Sequence, residues 1–272
     1  MSEKRRIDQL LVERGLAQSR QRAQSALMAG LVYVSGQRVD KAGALVAADA
    51  AIELRGETCP YVSRGGLKLA RAVEAFGLDL TDAVCMDVGA STGGFTDCML
   101  RSGAAKVYCV DVGYGQLAWS LRSDPRVVNL ERTNVRGLTE NEVDEPIDFA
   151  SVDVSFISLK LVLPVVRRFL RPGAQAVALV KPQFEAGRAE VGKNGVVRDA
   201  SVHASVLRDI TAFCAENGFS PAGLAYSPVK GPKGNIEFLL WLRGQAGQAG
   251  EIHIDQVVEQ AHAALRGGDQ NE

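Results

Sequence analysis

Paired cysteines are missing from this sequence. The chain has five cysteines in 272 residues, an odd number, and none of them has the CxxC spacing of a zinc site. We therefore expect free thiols and no metal, rather than a disulfide framework. Cys85 and Cys109 lie in apolar, strand-like stretches, where a small buried thiol packs as a hydrophobic residue.

Long apolar runs are missing as well. No stretch approaches the ~20 apolar residues that span a bilayer, and residues 1–15 contain no apolar segment typical of an export signal. The composition, with 46% hydrophobic and 23% charged residues, is that of an ordinary globular protein. We expect a cytoplasmic protein without a membrane partner.

Aromatic residues are scarce in the first 58 residues, where Tyr33 is the only one. Because bases stack on aromatic rings, this region is not expected to bind RNA through base stacking. Basic residues are frequent there, although the net charge of the whole chain is −1. They predict a surface that contacts RNA phosphates. The candidate residues are Lys4, Arg5, Arg6, Arg20, Arg22 and Lys41.

The N-terminal part of the chain combines helical and strand-like patterns. Apolar residues at helical spacing indicate helices over 5–16 and 19–30, each ended by a glycine, and Ser19 is a suitable N-cap. Residues 31–54 alternate apolar and polar residues and predict short antiparallel strands with a turn at Ser35-Gly36. This pattern predicts a small α+β domain.

The larger part of the chain alternates β-branched strands with helices, which predicts a doubly wound, mostly parallel, Rossmann-like α/β sheet. Two later strands, joined by a Gly/Pro/Lys loop without a helix, predict a closing antiparallel hairpin, and a final amphipathic helix follows. We expect domains at 1–58 and 65–272, with a linker at 59–64. The parallel strands are expected near 83–88, 105–112, 126–130, 147–154 and 174–180.

A glycine-rich loop follows the first parallel strand, in the segment VCMDVGASTGGFTD. The loop runs from Gly89 to Gly94, and a helix is expected to begin at Phe95. Glycines permit positive φ and close approach of the backbone to a ligand, and a helix N-terminus offers free N–H groups. The segment therefore predicts a site for a nucleotide-like cofactor.

Two cofactors compete for this loop, a nicotinamide dinucleotide and S-adenosylmethionine. The loop reads GxSxGG rather than GxGxxG, and Asp87 before it would repel a pyrophosphate but suits sulfonium and ammonium groups. Asp111, at the end of the next strand, would accept hydrogen bonds from the ribose hydroxyls of either cofactor. We expect S-adenosylmethionine, with Asn134 near its adenine. The predicted cofactor-binding residues are Asp87, Gly89, Ser91, Gly93, Gly94, Phe95, Thr96, Asp111, Val112 and Asn134.

Several longer motifs resemble those of one family. The glycine loop and the segments DVGYGQLAWSLRSDPRV, DVSFISL, LVKPQFE and GPKGNIEFLLWL are similar to the TlyA family. The resemblance covers nearly the whole chain. It implies an S4-type RNA-binding domain joined to an FtsJ-like methyltransferase domain that methylates the 2′-hydroxyl of cytidine in ribosomal RNA. Members of the family have also been called haemolysins.

The resemblance also implies a catalytic set, Lys68, Asp153, Lys181 and Glu237. From the residues alone, Asp153 and Lys181 are charges at the ends of apolar strands, where open α/β sheets place ligand chemistry. A nearby Lys68 and partial desolvation would favour the neutral amine of Lys181. We hypothesise that Lys181 takes the hydroxyl proton or stabilises the alkoxide, while the carboxylates orient the lysines and the hydroxyl.

Other functions remain open from the sequence. Amino methylation of a base is less favoured, because Asp153-Val154-Ser155-Phe156 lacks the two prolines of that motif, and carbon-five methylation would need a cysteine nucleophile there. An RNA-binding assembly factor without turnover and a membrane-lytic haemolysin are the other classes.

Further RNA contacts are expected outside the N-terminal domain. Arg64, Arg132 and Arg136 are candidates for contacting the substrate RNA. The polar segment 183–199 is long for a simple connection and predicts a lid over bound RNA.

Overall fold

The chain folds as two units, Met1–Ser63 and Arg64–Glu272, each with its own hydrophobic core. The computed structural model describes residues 3–17, 19–28, 30–55, 59–245, 247 and 250–265. The residues at the predicted end of the first domain, 56–58, and those after Leu265, where the final helix was expected to fray, lie outside the described residues.

The first unit is built from short strands and two helices. Strand β2 pairs antiparallel with β3 and β5, as predicted, and β1 pairs with β4. Ser35 and Gly36 form the predicted turn, with φ of 50° and 81°. The elements are β1 (Lys4–Arg6), α1 (Ile7–Glu13), α2 (Arg20–Met28), β2 (Val32–Val34), β3 (Gln37–Arg38), β4 (Leu45–Ala47) and β5 (Ile52–Leu54).

The first predicted helix begins later than expected. Residues 4–6 are a strand because their backbone groups pair with β4, and α1 starts only at Ile7. The second prediction is confirmed at its start, where the Ser19 hydroxyl accepts a hydrogen bond from the backbone N–H of Arg22 at 3.2 Å. Ile7 and Leu27 are fully buried and join the two helices in the core of this unit.

The second unit contains the predicted doubly wound sheet. Its strand order is β11-β12-β10-β9-β6-β7-β8. The strands are β6 (Val84–Val88), β7 (Lys106–Val110), β8 (Val127–Leu130), β9 (Ile147–Val152), β10 (Leu170–Val180), β11 (Ser220–Tyr226) and β12 (Phe238–Arg243). The helices are α3 (Gly65–Phe76), α4 (Gly94–Arg101), α5 (Trp119–Arg122), α6 (Leu159–Phe169), α7 (Pro182–Glu185), α8 (Ala200–Glu216) and α9 (Ile254–Leu265).

The direction of the strands positions the site. The five strands from β10 to β8 are parallel, whereas β12 is antiparallel to both β10 and β11, which confirms the predicted closing hairpin. The parallel strands β6, β7 and β9 and the second half of β10 are largely buried, as expected for a sheet covered by helices on its faces, whereas β8, at the edge of the sheet, is half-buried. The carboxyl ends of the parallel strands and the beginning of β12 therefore meet at one edge, here called the carboxyl edge.

All five cysteines are free thiols, as predicted. Cys85 and Cys109 are buried in β6 and β7, and desolvation raises the pKa of both thiols. They pack as small apolar residues, which agrees with the interpretation of the sequence. In the part of the chain that the structure describes, no helix is long and apolar enough to cross a membrane.

Candidate active site

The carboxyl edge gathers most of the predicted site residues. Those that directly follow β6, β7, β9 and β10 are Gly89, Asp111, Asp153 and Lys181. Because β12 runs in the opposite direction, it begins at this same edge, directly after Glu237. Residues far apart in the sequence are thus brought to one side of the sheet, where open α/β folds bind their ligands.

Two pairs of a lysine and a carboxylate lie at this edge. Nζ of Lys68, on α3, is 2.5 Å from Oε2 of Glu237, and Nζ of Lys181 is 2.6 Å from Oδ1 of Asp153. The last residue of β10 is paired with the first residue of β12, so the next residues outward, Lys181 and Glu237, lie opposite each other. The structure therefore brings the four residues together in the order Lys68, Glu237, Lys181, Asp153.

The four charges are withdrawn from water but compensated. The side chain of Glu237 is 1% exposed and that of Asp153, the most exposed, 19%. Buried charges are costly unless they are paired, so each pair offsets part of its desolvation. The sequence predicts two ammonium groups close together. In the structure each lysine is paired with its own carboxylate, which offsets the repulsion between the two ammonium groups.

One oxygen of this set is buried against a lysine. Oδ1 of Asp153 has almost no solvent-accessible surface and lies 2.6 Å from the Lys181 ammonium, with which it forms an ion pair. The Asp153 side chain is nevertheless 19% exposed, so its exposed surface belongs to its other atoms. A molecule bound at this edge therefore meets the exposed part of the Asp153 side chain and not Oδ1.

Neighbouring side chains fix Lys181 and the segment after β9. The Lys181 ammonium donates to the Ser155 hydroxyl at 2.9 Å. Glu185, at the end of α7, accepts from the Ser158 hydroxyl at 2.6 Å and from the first N–H of α6 at 2.8 Å. Burial raises the pKa of Glu185, and the two donors act against this shift. The loop between Asp153 and Ser158 is thus held at both ends.

The glycines of the cofactor loop serve different purposes. Gly89 has φ of 86°, and a Cβ there would lie 2.3 Å from the backbone oxygen of Asp153. Gly93 has φ of 91° and caps the start of α4, but a Cβ there would meet Leu117 and Leu121. Gly89 therefore lets the loop approach the backbone of Asp153 at the carboxyl edge, whereas the contacts of Gly93 are with the core, and Gly94 is buried with it.

Asp87 lies behind the cofactor loop rather than in front of it. Its side chain is fully buried and accepts hydrogen bonds from the Thr96 N–H at 2.9 Å, the Thr96 hydroxyl at 2.7 Å and the Ser151 hydroxyl at 3.0 Å. A direct contact with a sulfonium does not agree with this burial, so Asp87 can act only through the loop. Thr96 and Phe95 are buried as well, which removes their side chains from a ligand surface.

The burial of Asp87 predicts a pH dependence. Desolvation raises the pKa of Asp87 from 3.8 to about 6, against the hydrogen bonds from Thr96 and Ser151. The folded protein therefore binds this proton more tightly than the unfolded chain, and the stability that it contributes at low pH is lost as pH rises through about 6. An asparagine can keep all three hydrogen bonds. As pH rises from about 4 to about 6, the wild type loses this contribution and Asp87→Asn does not. We therefore expect the free energy of unfolding of Asp87→Asn to rise by up to about 3 kcal/mol relative to that of the wild type over this range.

Urea unfolding at several pH values measures this difference. Fluorescence reports the second unit selectively, because both tryptophans of the chain, Trp119 and Trp241, belong to it. Parallel stability curves for the two proteins would contradict the assignment of a buried, proton-binding carboxyl to Asp87.

Asp111 connects the cofactor loop to the following loop. Its Oδ2 accepts from the Ser91 N–H at 2.7 Å and its Oδ1 from the Gly113 N–H at 2.6 Å. Each oxygen retains a lone pair for a ribose hydroxyl. Val112 is 72% exposed beside it. Asn134 is exposed and accepts from the backbone N–H of Arg136 at 3.1 Å, so its carbonyl oxygen caps a helical turn.

The basic residues of the first unit are arranged around a buried carboxylate. Arg6 donates to both oxygens of Asp8 at 3.0 and 2.9 Å, and Arg20 donates to Oδ2 at 2.8 Å. The hydrogen bonds from Arg6 hold the pKa of Asp8 well below its usual range. Arg5 pairs instead with Glu13 at 2.7 Å. Arg6 and Arg20 are thus fixed together on one surface.

Arg22 has a structural role that the sequence did not reveal. Its guanidinium donates to the carbonyl oxygens of Cys59, Pro60 and Tyr61 at 2.5, 2.8 and 3.0 Å. Its two terminal nitrogens thus donate to backbone oxygens within the unit, and the expected contact of Arg22 with phosphate stays a prediction. The contacts also attach part of the predicted linker to α2. Lys4 and Lys41 are exposed.

The arginines of the second unit differ in their surroundings. Arg64 is exposed at the start of α3. The guanidinium of Arg132 lies 4.1 Å from the centre of the Tyr114 ring, and its residue adopts φ of 54°. Arg136 is exposed next to Asn134.

Phe156 was not predicted as a site residue. It follows Asp153 by three positions, is 90% exposed and adopts φ of 63°, which is unfavourable for a bulky side chain. Its ring centre is 5.0 Å from that of Phe184. An exposed ring held in a strained backbone at this edge indicates a functional position. The sequence contains the residue but gives no sign of its φ or exposure.

Comparisons with known proteins agree with this site. The FtsJ-like methyltransferase family matches residues 61–244 and the S4 domain matches residues 5–52. YqxC of Bacillus subtilis strain 168 is 52% identical over 97% of this chain and 96% of its own length. The 16S/23S rRNA (cytidine-2′-O)-methyltransferase TlyA of Mycobacterium tuberculosis strain H37Rv is 46% identical over 98% of this chain and 100% of its own length.

A solved structure from Streptococcus thermophilus, described as a hemolysin, has a TM-score of 0.78 at 46% identity and covers 98% of both chains. The doubly wound sheet with its glycine loop defines the class as an S-adenosylmethionine-dependent methyltransferase. The chain belongs to the FtsJ-like methyltransferase family, and within it to the TlyA proteins, which add an S4 domain. The predictions of the family, the fold and the cofactor are confirmed.

Proposed function

We propose that the protein transfers a methyl group from S-adenosylmethionine to a ribose 2′-hydroxyl of ribosomal RNA, with Lys68, Asp153, Lys181 and Glu237 as the catalytic set. The observation that carries the proposal is the line of two lysine–carboxylate pairs beside the glycine loop. The name of the Mycobacterium tuberculosis relative supports the 2′-hydroxyl of cytidine as the acceptor.

The residues present fit the methyl donor. Gly89 brings the loop against the backbone of Asp153, where a side chain would not fit, and Asp111 has lone pairs for ribose hydroxyls at the end of β7. When bound, S-adenosylmethionine supplies an electrophilic methyl carbon. Its neighbours at the carboxyl edge are then the charges of the catalytic set, so donor and acceptor meet where the strands end.

The 2′-oxygen needs one group that accepts its proton and another that stabilises the negative charge developing on it. The Asp153 side chain is 19% exposed at the carboxyl edge, so its carboxylate accepts the hydrogen bond of the 2′-hydroxyl and takes its proton as the new bond forms. The Lys181 ammonium stabilises the negative charge on that oxygen, a role that pairing with Asp153 favours over proton acceptance. Glu237, which lies opposite Lys181 at the start of the neighbouring strand, is paired with Lys68 of α3 and adds a second pair of charges beside Lys181.

The first unit supplies affinity for the RNA backbone. Arg6 and Arg20 are fixed by Asp8, and Lys4 and Lys41 are exposed in the same unit. These residues contact phosphates, since few aromatic rings are available for bases in this unit. The match to the S4 domain supports this role.

Tritium transfer from labelled S-adenosylmethionine to ribosomal subunits tests the function. We expect label in RNA that contains a ribose 2′-hydroxyl at the target position and no label when that nucleotide is 2′-deoxy. Label on the deoxy substrate would indicate base methylation. Tight RNA binding without label would support an assembly factor.

Phe156 is expected to stack on a base of the bound RNA. Stacking on an aromatic ring contributes ~1–3 kcal/mol per base, so Phe156→Ala should raise KM for RNA by roughly 5- to 150-fold. The affinity for S-adenosylmethionine should stay unchanged. The control is Leu161→Ala, which also removes an exposed apolar side chain, but one that lies on the nearby helix α6. An unchanged KM in Phe156→Ala would exclude this contact.

A further inference from the structure

Two loops at the carboxyl edge are joined by one buried amide. The first loop spans residues 187–199 and the second spans residues 227–237. The side chain of Asn235 is buried; its Oδ1 accepts from the Val197 N–H at 3.0 Å and its Nδ2 donates to the Gly195 oxygen at 2.9 Å. The backbone oxygen of Asn235 also accepts from the Gly231 N–H at 2.9 Å. The two loops therefore form one ordered surface, and the lid over bound RNA expected for 183–199 stays a prediction.

This surface places three cations around a single tight turn. The turn is closed by hydrogen bonds from the Gly195 N–H to the Gly192 oxygen at 2.8 Å and from the Gly192 N–H to the Val196 oxygen at 3.1 Å. The Lys233 ammonium lies 3.6 Å from where a Cβ of Gly195 would be, and the Arg198 guanidinium 4.0 Å from that of Gly192. The third cation is the exposed Lys193, within the turn.

The carboxylates of the first loop are used elsewhere. Asp199 caps α8 by accepting from the Ser201 N–H at 2.8 Å, and Glu190 accepts from the Gly187 N–H at 3.0 Å. None of Lys193, Arg198 and Lys233, here called the basic turn cluster, has an ion-pair partner within the described residues. The cluster is therefore a local excess of positive charge, held by a rigid backbone.

The second loop connects the cluster to the catalytic set. It leads directly into Glu237, and a Cβ on Gly231 would lie 2.5 Å from Oε1 of that residue. The first loop begins soon after Lys181, beyond α7. Both loops are thus anchored to members of the catalytic set at the carboxyl edge.

We infer that the basic turn cluster binds the phosphodiester backbone of the RNA strand that enters the active site, an inference that rests on the proposed function. When exposed cations without carboxylate partners bind a nucleic acid, they release its counterions, and this release favours binding. The Arg198 guanidinium offers a donor fork for phosphate oxygens, and the two ammonium groups add point charges. Because Asn235 fixes the loops beforehand, binding RNA does not have to order them.

The variant that tests this is the full chain with Lys193→Gln, Arg198→Gln and Lys233→Gln. Its affinity for purified bacterial ribosomal RNA is measured between about 50 and about 300 mM salt. Each lost phosphate contact lowers the slope of log affinity against log salt by ~0.7–0.9, so we expect a decrease of about 2 and at least roughly tenfold weaker binding at low salt. The rate at saturating RNA and the affinity for S-adenosylmethionine should stay within about twofold.

The control variant removes the same number of cations from the opposite edge of the same sheet, with Arg168→Gln, Arg171→Gln and Arg243→Gln, of which Arg171 is ion-paired to Asp148. These residues lie at the end of α6, the beginning of β10 and the end of β12. For this control variant, the slope of log affinity against log salt should equal that of the wild type. An unchanged slope in the cluster variant, or equal decreases in both variants, would overturn the inference.

Lys193 is exposed, so its single substitution Lys193→Gln can be used if the triple variant unfolds. This single variant should lower the slope of log affinity against log salt by ~0.7–0.9, and no change in the slope would overturn the inference. Binding and its salt dependence are measured without turnover. A failure of methyl transfer would therefore refute the proposed function, while the slope still decides whether the cluster contacts phosphates.

Discussion

Lys181→Ala lowers the rate of methyl transfer by about 10²- to 10⁴-fold and leaves the affinity for S-adenosylmethionine nearly unchanged, as we expect from its place in the proposed mechanism. Its ammonium is 2.6 Å from Asp153 and residue 181 lies opposite Glu237. In the proposed mechanism this ammonium stabilises the charge of the acceptor oxygen and does not contact the cofactor. Single-turnover transfer of a labelled methyl group gives the rate, and calorimetry gives the cofactor affinity.

Lys160→Ala is the matched control, because it also removes a lysine that is ion-paired, to Asp209 at 2.7 Å, but on the surface of α6. Its turnover should stay close to that of the wild type. Turnover of Lys181→Ala within tenfold of the wild type would exclude a catalytic role for Lys181.

Lys181→Arg separates the two roles that the lysine could have. An arginine keeps a positive charge but does not release its proton in proteins. Measurable turnover in Lys181→Arg would support charge stabilisation, with Asp153 as the proton acceptor. Turnover that is lost as completely as in Lys181→Ala, in a folded variant that binds the cofactor, would contradict that division of roles.

The strand ends could be located from the sequence because period and composition determine them. Asp153 and Lys181 follow apolar, β-branched runs, and parallel strands place such ends at one edge. The pairing of Lys68 with Glu237 joins residues 169 positions apart, which no local pattern encodes. Only the antiparallel register of β12 brings Glu237 beside Lys181.

The sequence does not determine what a charged side chain contacts. Arg22 carries the same charge as Arg20, yet it donates to three backbone carbonyl oxygens, whereas Arg20 donates to Asp8. Asp87 has the expected position in the sequence, but its carboxylate faces Thr96 and Ser151 inside the fold. Sequence identifies a charge at a strand end or on a helix, whereas its partner depends on tertiary packing.

The joined loops were predicted only in part. The length and polarity of 183–199 indicated a functional loop, which its basic turn supports. The partner loop was not predicted, because Asn235 looks like an ordinary turn residue in the run KGPKGNIEF. Its importance follows from its burial and from the hydrogen bonds of its side chain to the other loop.

Gly89→Ala is expected to destabilise the second unit by about 3 kcal/mol or more and to abolish measurable cofactor binding. A non-glycine residue at positive φ costs ~1–2 kcal/mol, and forcing a methyl group into a filled space costs a further ~1–3 kcal/mol. At Gly89 both apply, because the new Cβ would lie 2.3 Å from the backbone oxygen of Asp153. Relief requires the cofactor loop and Asp153 to move apart, which disturbs the cofactor site and the proposed acceptor site together.

Gly77→Ala isolates the backbone contribution, since Gly77 ends α3 at φ of 59° and a Cβ added there would have nothing within 4 Å. Urea unfolding followed by tryptophan fluorescence should give a loss of only ~1–2 kcal/mol for Gly77→Ala, with cofactor affinity retained. The difference between the two variants then measures the cost of separating Gly89 from Asp153. Equal losses would mean that the loop does not press on the backbone of Asp153 and that its glycine is required only for its φ.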